Sequence, residues 1–273
     1  MSDLRIAVLN ASHRDMNTTR NFRRELDGSL AEYYVTDGEI PDDYAFDAVV
    51  VSGSRSSVYW DEEWIDATRA WVGEAVDRDI PHLGICWGHQ LLASVLGGTV
   101  EAMGAYEVGY SEITRTADTR LFEGIPETFT SFTSHSDAVT DLPPGATALA
   151  ENHYSVHGFR KDRVFGVQFH PEFDPKTARD LVHRKDLSQE RLESVLAEIT
   201  AENYRKACES KLVFDNYLAF VREVTAEADP ASVPAGDPTT GDQPTDVELE
   251  TSPDGPTEPA GDAESDAAAG CSD

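Results

Sequence analysis

Ile80-Pro81-His82-Leu83-Gly84-Ile85-Cys86-Trp87-Gly88-His89-Gln90-Leu91-Leu92-Ala93-Ser94-Val95-Leu96 carries two apolar runs that meet at a single thiol. The first run reads as a buried strand and the second as a helix, which puts Cys86 at the join. A nucleophile on so sharp a turn is pushed out of the sheet end on a strained backbone, and glycines two residues to either side remove the side chains that would collide there. Gly84 and Gly88 occupy those two places. Unpaired N–H groups in the first helical turn, with the positive end of the helix dipole, favour thiolate over thiol. Taken alone, a lone cysteine reads as readily as a small buried hydrophobe.

A second stretch tips the balance. Arg163-Val164-Phe165-Gly166-Val167-Gln168-Phe169 reads as a strand running into His170, with Pro171 preventing helix at the exit and Glu172 one residue further on. In extended chain, residues i and i+2 face the same way. Glu172 can therefore accept one imidazole N–H while the other ring nitrogen faces a thiol, which orients the ring and stabilises imidazolium. Nucleophile, base and orienter are then Cys86, His170 and Glu172.

Outward from these two stretches, Ile6–Leu9, Asp47–Val51 and His82–Ile85 read as buried parallel strands. Helices near Thr18–Leu26, Glu62–Val76 and Trp87–Leu96 alternate with them. The alternation predicts an α/β fold with a doubly wound, mostly parallel sheet. From Thr99 to Phe169 the pattern shortens into strands broken by turns such as Leu142-Pro143-Pro144-Gly145, which predicts a small antiparallel extension before the histidine strand rejoins the main sheet. C-terminal helices follow over 176–224. Leu192, Val195, Leu196 and Ile199 form one stripe of helical period, and Phe214, Tyr217, Leu218 and Val221 form another, to be covered by the sheet or by a partner.

The two motifs resemble those of the class I, triad-type glutamine amidotransferases, whose glutaminase domain carries Gly-x-Cys-x-Gly-His-Gln and later Gln-Phe-His-Pro-Glu. The resemblance runs from about residue 4 to 175 and is nearest the stand-alone, GMP synthetase-like branch. Four further stretches carry it: Val51-Ser52-Gly53-Ser54-Arg55-Ser56-Ser57-Val58-Tyr59 as the oxyanion loop, Gly97-Gly98-Thr99-Val100-Glu101, Glu107-Val108-Gly109-Tyr110, and Ser134-His135-Ser136-Asp137-Ala138-Val139. The resemblance implies that Cys86 attacks the glutamine side-chain amide, that His170 protonates the departing ammonia, and that water opens a glutamyl thioester. It implies an oxyanion site from the amide of Trp87 and the Gly53-Ser54 pair. Gln90 and the backbone of Ser134, His135, Ser136 and Asp137 would contact the α-amino and α-carboxyl groups. No cofactor is expected, and because His82, His89, His135 and His183 show no tight metal-ligand spacing, no metal is expected either. Two positions depart from the family: Gly-Gly-Pro becomes Gly53-Ser54-Arg55, and Trp87 stands for Leu or Phe, an indole large enough to narrow the glutamine mouth.

The chain of 273 residues has 51 Asp and Glu against 22 Lys and Arg, a formal charge of −29. Such a charge repels phosphate backbones, so nucleic acid is excluded as a partner. Few bases amid many carboxylates resemble the proteins of salt-loving microbes, where salt screens the repulsion. Arg20, Arg23 and Arg24 form a local basic cluster on the first helix, by default a solvated face and otherwise a docking patch. Residues 226–273 are rich in Pro, Gly, Asp, Glu, Thr and Ala without apolar periodicity. The expected organisation is therefore a class I glutamine amidotransferase-like domain over 1–225 and an acidic disordered tail over 226–273. Without a charged-then-apolar leader or a run of about 18 apolar residues, the expectation is a cytoplasmic protein that does not enter a membrane. The sequence carries no ATP pyrophosphatase or phosphate-binding loop, so ammonia would go to a separate ATP-dependent synthetase. Two alternatives stay open: a stand-alone hydrolase of γ-glutamyl amides or peptides, and a non-catalytic glutamine-binding regulator.

Overall fold

The computed structural model of the chain describes residues 3–228. Five parallel strands form its centre: β1 (Arg5–Asn10), β2 (Ser29–Tyr34), β3 (Ala48–Val51), β4 (His82–Ile85) and, arriving late in the chain, β9 (Val164–Val167). Helices α1 (Met16–Glu25), α2 (Glu63–Asp77) and α3 (Trp87–Val95) connect the early strands. The antiparallel strands β5 (Thr99–Arg115), β6 (Thr128–Asp141), β7 (Thr147–Glu151) and β8 (Val156–Lys161) complete one nine-stranded sheet of order β2-β1-β3-β4-β9-β8-β7-β5-β6. Helices α4 (Pro175–His183), α5 (Gln189–Glu198), α6 (Ala201–Ala207) and α7 (Leu212–Ala228) follow.

Alternation along β1 explains why the sheet is covered on both sides. Ile6 and Val8 point to one face, with Phe22, Phe165 and Phe214; Ala7 and Leu9 point to the other, with Ile65, Val72 and Leu91. The stripe on α7 packs on the sheet rather than on a partner: Phe214, Tyr217, Leu218 and Val221 are all buried, and the Tyr217 hydroxyl donates to the Val49 carbonyl at 3.2 Å. Each such side chain contributes roughly 1.5–3 kcal/mol by leaving water. The stripe on α5 joins α4 and the antiparallel strands, where Val195 and Ile199 are buried with Val108, Phe132 and Val182.

Two details differ from expectation. Strand β2, whose side chains are mostly half-buried, lacks the apolar run that marks the other parallel strands in the sequence. Helix α7 continues through Ala228, past the domain boundary placed at 225, and the remainder of the proposed tail lies outside the described residues. No helix among the described residues is long and apolar enough to cross a membrane. Strands β1 and β3 carry their connections in opposite directions across the sheet, so their carboxyl ends frame the crevice where open α/β sheets bind ligands.

Candidate active site

Cys86 occupies the join between β4 and α3 with φ 52° and ψ −100°, left-handed backbone that a non-glycine residue adopts only under local constraint. The glycines on either side permit the turn. A Cβ on Gly84 would overlap the backbone of Gly88, and one on Gly88 would overlap the Val51 carbonyl oxygen. The Cys86 amide donates to Val167 O of β9 at 2.8 Å, tying the elbow to the histidine strand. Helix α3 starts at Trp87, so the first N–H groups after the thiol lack intrahelical acceptors.

His170 lies three residues beyond β9, and its amide donates to Phe132 O at 2.8 Å in a single antiparallel bridge. Its Nδ1 donates to Glu172 Oε1 at 2.8 Å, and both side chains are buried. The ring also lies close enough to the Cys86 sulfur to interact with it electrostatically, and a Cβ placed on Gly53 would touch both His170 and Cys86. Burial pushes the imidazole toward neutrality, but the Glu172 carboxylate and the Cys86 sulfur outweigh it and raise the pKa to about 10. Phe173 stacks on the ring at 4.1 Å and limits its rotation. The three expected side chains thus meet although 84 positions separate Cys86 from His170.

Gly53 sits against both partners. A Cβ there would lie 2.9 Å from His170 Cε1 and 3.6 Å from Cys86 Cβ, so close approach, not positive φ, demands glycine. Ser54 has no positive φ either, so its side chain imposes no backbone strain there. Cys86, Trp87, Gln90 and Ser134 to Asp137 line a polar pocket of about 350 Å³ that opens over the sulfur. Cys86 Sγ is 3.8 Å from Ser134 O. Gln90 Nε2 donates to Asp137 O at 2.9 Å and to Gln168 Oε1 at 3.0 Å, so the amide braces the 134–137 segment. The Asp137 carboxylate accepts from Ser57 at 2.5 Å and Tyr59 at 3.0 Å, closing the loop after β3 onto the same segment. Ser136 is exposed at the mouth. The Trp87 indole does not narrow the opening: it is 1% exposed and packs on Trp64 at 5.3 Å, inside the core below.

His135 faces away from the pocket floor. Its Nδ1 contacts Asp137 O at 2.9 Å, and its Nε2 contacts Glu107 Oε2 at 2.8 Å, which His157 Nε2 also meets at 3.2 Å. Burial raises the Glu107 pKa, but hydrogen bonds from His135, His157 and Ser111 overcome this and hold the carboxyl far below the usual carboxylate range. Candidate ligand atoms of Glu107, His135 and His157 lie within 4.8 Å of one another, the spacing of a metal site. Their direct nitrogen-to-oxygen contacts, together with Ser111 and Asn152 on Oε1, satisfy the carboxylate without an ion. The cluster anchors the 134–137 segment from behind.

Of the α1 arginines, Arg23 keeps to the solvated face, its side chain 68% exposed, whereas Arg20 and Arg24 turn to the chain beyond β9. Arg24 donates to the Glu172 carbonyl at 2.6 Å and to Asp174 at 3.0 Å, and Arg20 donates to Asp174 at 2.6 Å. They bind the segment that carries Glu172. The sequence places them on a helix but cannot show which acids the fold brings opposite; the same holds for Phe173 and Tyr59.

Comparison with known proteins fits this geometry. The family described as glutamine amidotransferase class-I matches residues 16–189. A GMP synthase [glutamine-hydrolyzing] of Thermobifida fusca is 41% identical over 128 residues, which is 46% of this chain and 23% of that protein. One from Thermomicrobium roseum is 38% identical over 125 residues, 45% of this chain and 23% of its own. The chain therefore spans about a quarter of the length of these relatives. Among solved structures, a glutamine amidotransferase from Thermotoga maritima aligns with TM-score 0.66 and 22% identity, covering 80% of this chain and 99% of that one. A glutamine amido transferase from Methylobacillus flagellatus aligns with TM-score 0.65 and 18% identity, covering 80% and 95%. These two likenesses concern the fold.

Proposed function

Because the chain belongs to the class I glutamine amidotransferases, we propose that it hydrolyses the side-chain amide of glutamine through Cys86, His170 and Glu172 and delivers the ammonia to a separate ATP-dependent synthetase. The observation that carries this reading is that buried His170 holds Glu172 at 2.8 Å while Cys86 and His170 both flank Gly53. Cys86 adds to the amide carbon, and the oxyanion is held by N–H groups of Trp87 and the Gly53-Ser54 loop. His170 gives its proton to the departing ammonia. It then takes one from the water that opens the thioester. Gln90, Ser134, His135, Ser136 and Asp137 shape the pocket for the amino-acid end of glutamine.

The likeness to GMP synthases supports a synthetase of that type as the recipient, since the matched region is about a quarter of their length and the rest has no counterpart in the match. No cofactor takes part in this chemistry. With a charge of −29, a cytoplasm rich in salt is the milieu that suits the chain, and nucleic acid is not its partner. The domain responsible ends with α7 at Ala228, and the acidic stretch beyond it serves as a solubilising tail.

The test is ammonia release from glutamine by the isolated chain in molar KCl, with Cys86→Ala as control. Release abolished by that substitution supports the reading. Tight glutamine binding without release, even after addition of a candidate synthetase, would turn the chain into a regulator.

A further inference from the structure

His170 opens into a second, larger cleft. The pocket over the sulfur includes Cys86 but not His170; the neighbouring cleft, of about 1450 Å³, includes His170, Glu172 and Phe173 but not Cys86. Ser54, Arg55, Ser134 and Lys185 border both and form the rim between them. The far wall is the loop after β1, where His13 and Arg14 both have positive φ, 54° and 59°. This wall lies at the carboxyl ends of β1 and β3, the ligand crevice of the sheet.

The arrangement of the two cavities assigns the halves of a substrate. The acyl carbon must sit over the sulfur, while the amide nitrogen must sit beside His170 to be protonated. Any group carried on that nitrogen then projects into the second cleft. For glutamine that group is hydrogen, which leaves the cleft empty.

Charge on the rim says what would fill it. In a chain with 51 acids against 22 bases, Arg55 and Lys185 form no ion pair among the described residues, and Lys185 lies 4.9 Å over the Tyr106 ring. Other charges in the cleft are engaged: Arg14 with Asp37 at 2.5 Å, Arg184 with Asp15 at 2.5 Å, and Glu172 with His170. Asp186 is the remaining acid on its wall. We propose that this cleft is an amine-side subsite, and that the chain also hydrolyses γ-glutamyl amides whose nitrogen carries a carboxylate-bearing substituent, held by Arg55 and Lys185.

The inference rests on the catalytic assignment of Cys86 and His170. The thiolate adds to the γ-carbonyl carbon, forming the C–S bond. The C–N bond breaks with its electron pair on nitrogen, which takes the proton of the His170 imidazolium, and the amine leaves through the cleft. Water, losing a proton to His170, opens the thioester to glutamate and restores the thiolate–imidazolium pair.

Binding separates the inference from catalysis. The Cys86→Ala chain is titrated calorimetrically with γ-glutamylglycine and its uncharged glycinamide counterpart, at the lowest salt that keeps it folded, because salt screens the rim charges. A preference of about tenfold or more for the carboxylate is expected, the worth of a charge-assisted hydrogen bond. It should collapse in the Arg55→Gln, Lys185→Gln pair and survive Lys185→Arg. Equal affinities, or a preference indifferent to these substitutions, would overturn the subsite even if glutamine is turned over. A charge-dependent preference in a chain whose wild type hydrolyses neither compound would keep the subsite and refute the catalytic reading.

Discussion

Buried imidazoles usually shed their proton, and His170 keeps it only because of what it touches. Burial lowers its pKa; the Glu172 carboxylate and then the Cys86 sulfur raise it to about 10. Two consequences follow from the sign. The folded value lies above the unfolded one, so the contribution to stability is complete below pH 6.5 and is lost as pH rises through about 10. Removing either neighbour moves the titration downward. In ¹⁵N-histidine NMR spectra, both Glu172→Gln and Cys86→Ala should lower the pKa of this ring, and an unmoved titration would separate the ring from its partners. Glu172→Gln should also cost roughly 10²–10⁴-fold in kcat/KM for glutamine, as loss of an orienting carboxylate does.

The three side chains proposed to react are legible because each is marked locally: the thiol by flanking glycines, the histidine by the proline behind it, and the glutamate by its i+2 spacing. What holds them is not local. Arg24 reaches the Glu172 carbonyl at 2.6 Å from a helix 148 positions away, and no periodicity encodes that meeting. Strand β2 escaped for a related reason, since Ser29-Leu30-Ala31-Glu32-Tyr33-Tyr34 is half-buried beside β1 and its polar members answer to neighbours such as Asn10 and Thr19. Trp87 misled because side-chain size says nothing of direction; α3 turns the indole into the core. At this scale Arg24→Ala should loosen the β9–α4 segment, lowering stability by about 1–2 kcal/mol in urea unfolding and kcat several-fold with KM little changed. Arg24→Lys should recover stability only in part, and a KM effect alone would contradict a role in holding Glu172. Glu107→Gln strikes the opposite wall. It removes the charge that two buried histidines contact, so a stability loss of about 3 kcal/mol with weakened glutamine binding is expected from unfolding and calorimetry.

Across the whole molecule two electrostatic loads act, and salt distinguishes them. A charge of −29 spread over exposed carboxylates repels itself, and this repulsion falls as ions screen it, so Tm at pH 6.5 should rise steeply from dilute buffer to molar KCl. Burial holds the pKa of His82 at about 4 and of His89 at about 3, and it lowers that of His157. Below pH 6.5 the unfolded chain takes up protons that these folded sites refuse, so stability falls on acidification. His170 does not contribute to that fall, being protonated in both states below its unfolded value, and the depressed Glu107 costs stability only below about pH 4.5. The interval from pH 6.5 to 5 therefore reports mainly on neutral histidines, at about 1.5 kcal/mol for each of His82 and His89. Because the loss arises from proton uptake by the unfolded state and not from long-range repulsion, it should persist in molar KCl while the low-salt penalty disappears. His82→Asn, which keeps a donor for Ile80 O, should reduce the pH 6.5-to-5 loss by about 1.5 kcal/mol in denaturant titrations at high salt. If salt instead abolished the pH dependence, surface repulsion would govern both effects and burial of these imidazoles would not limit the fold in acid.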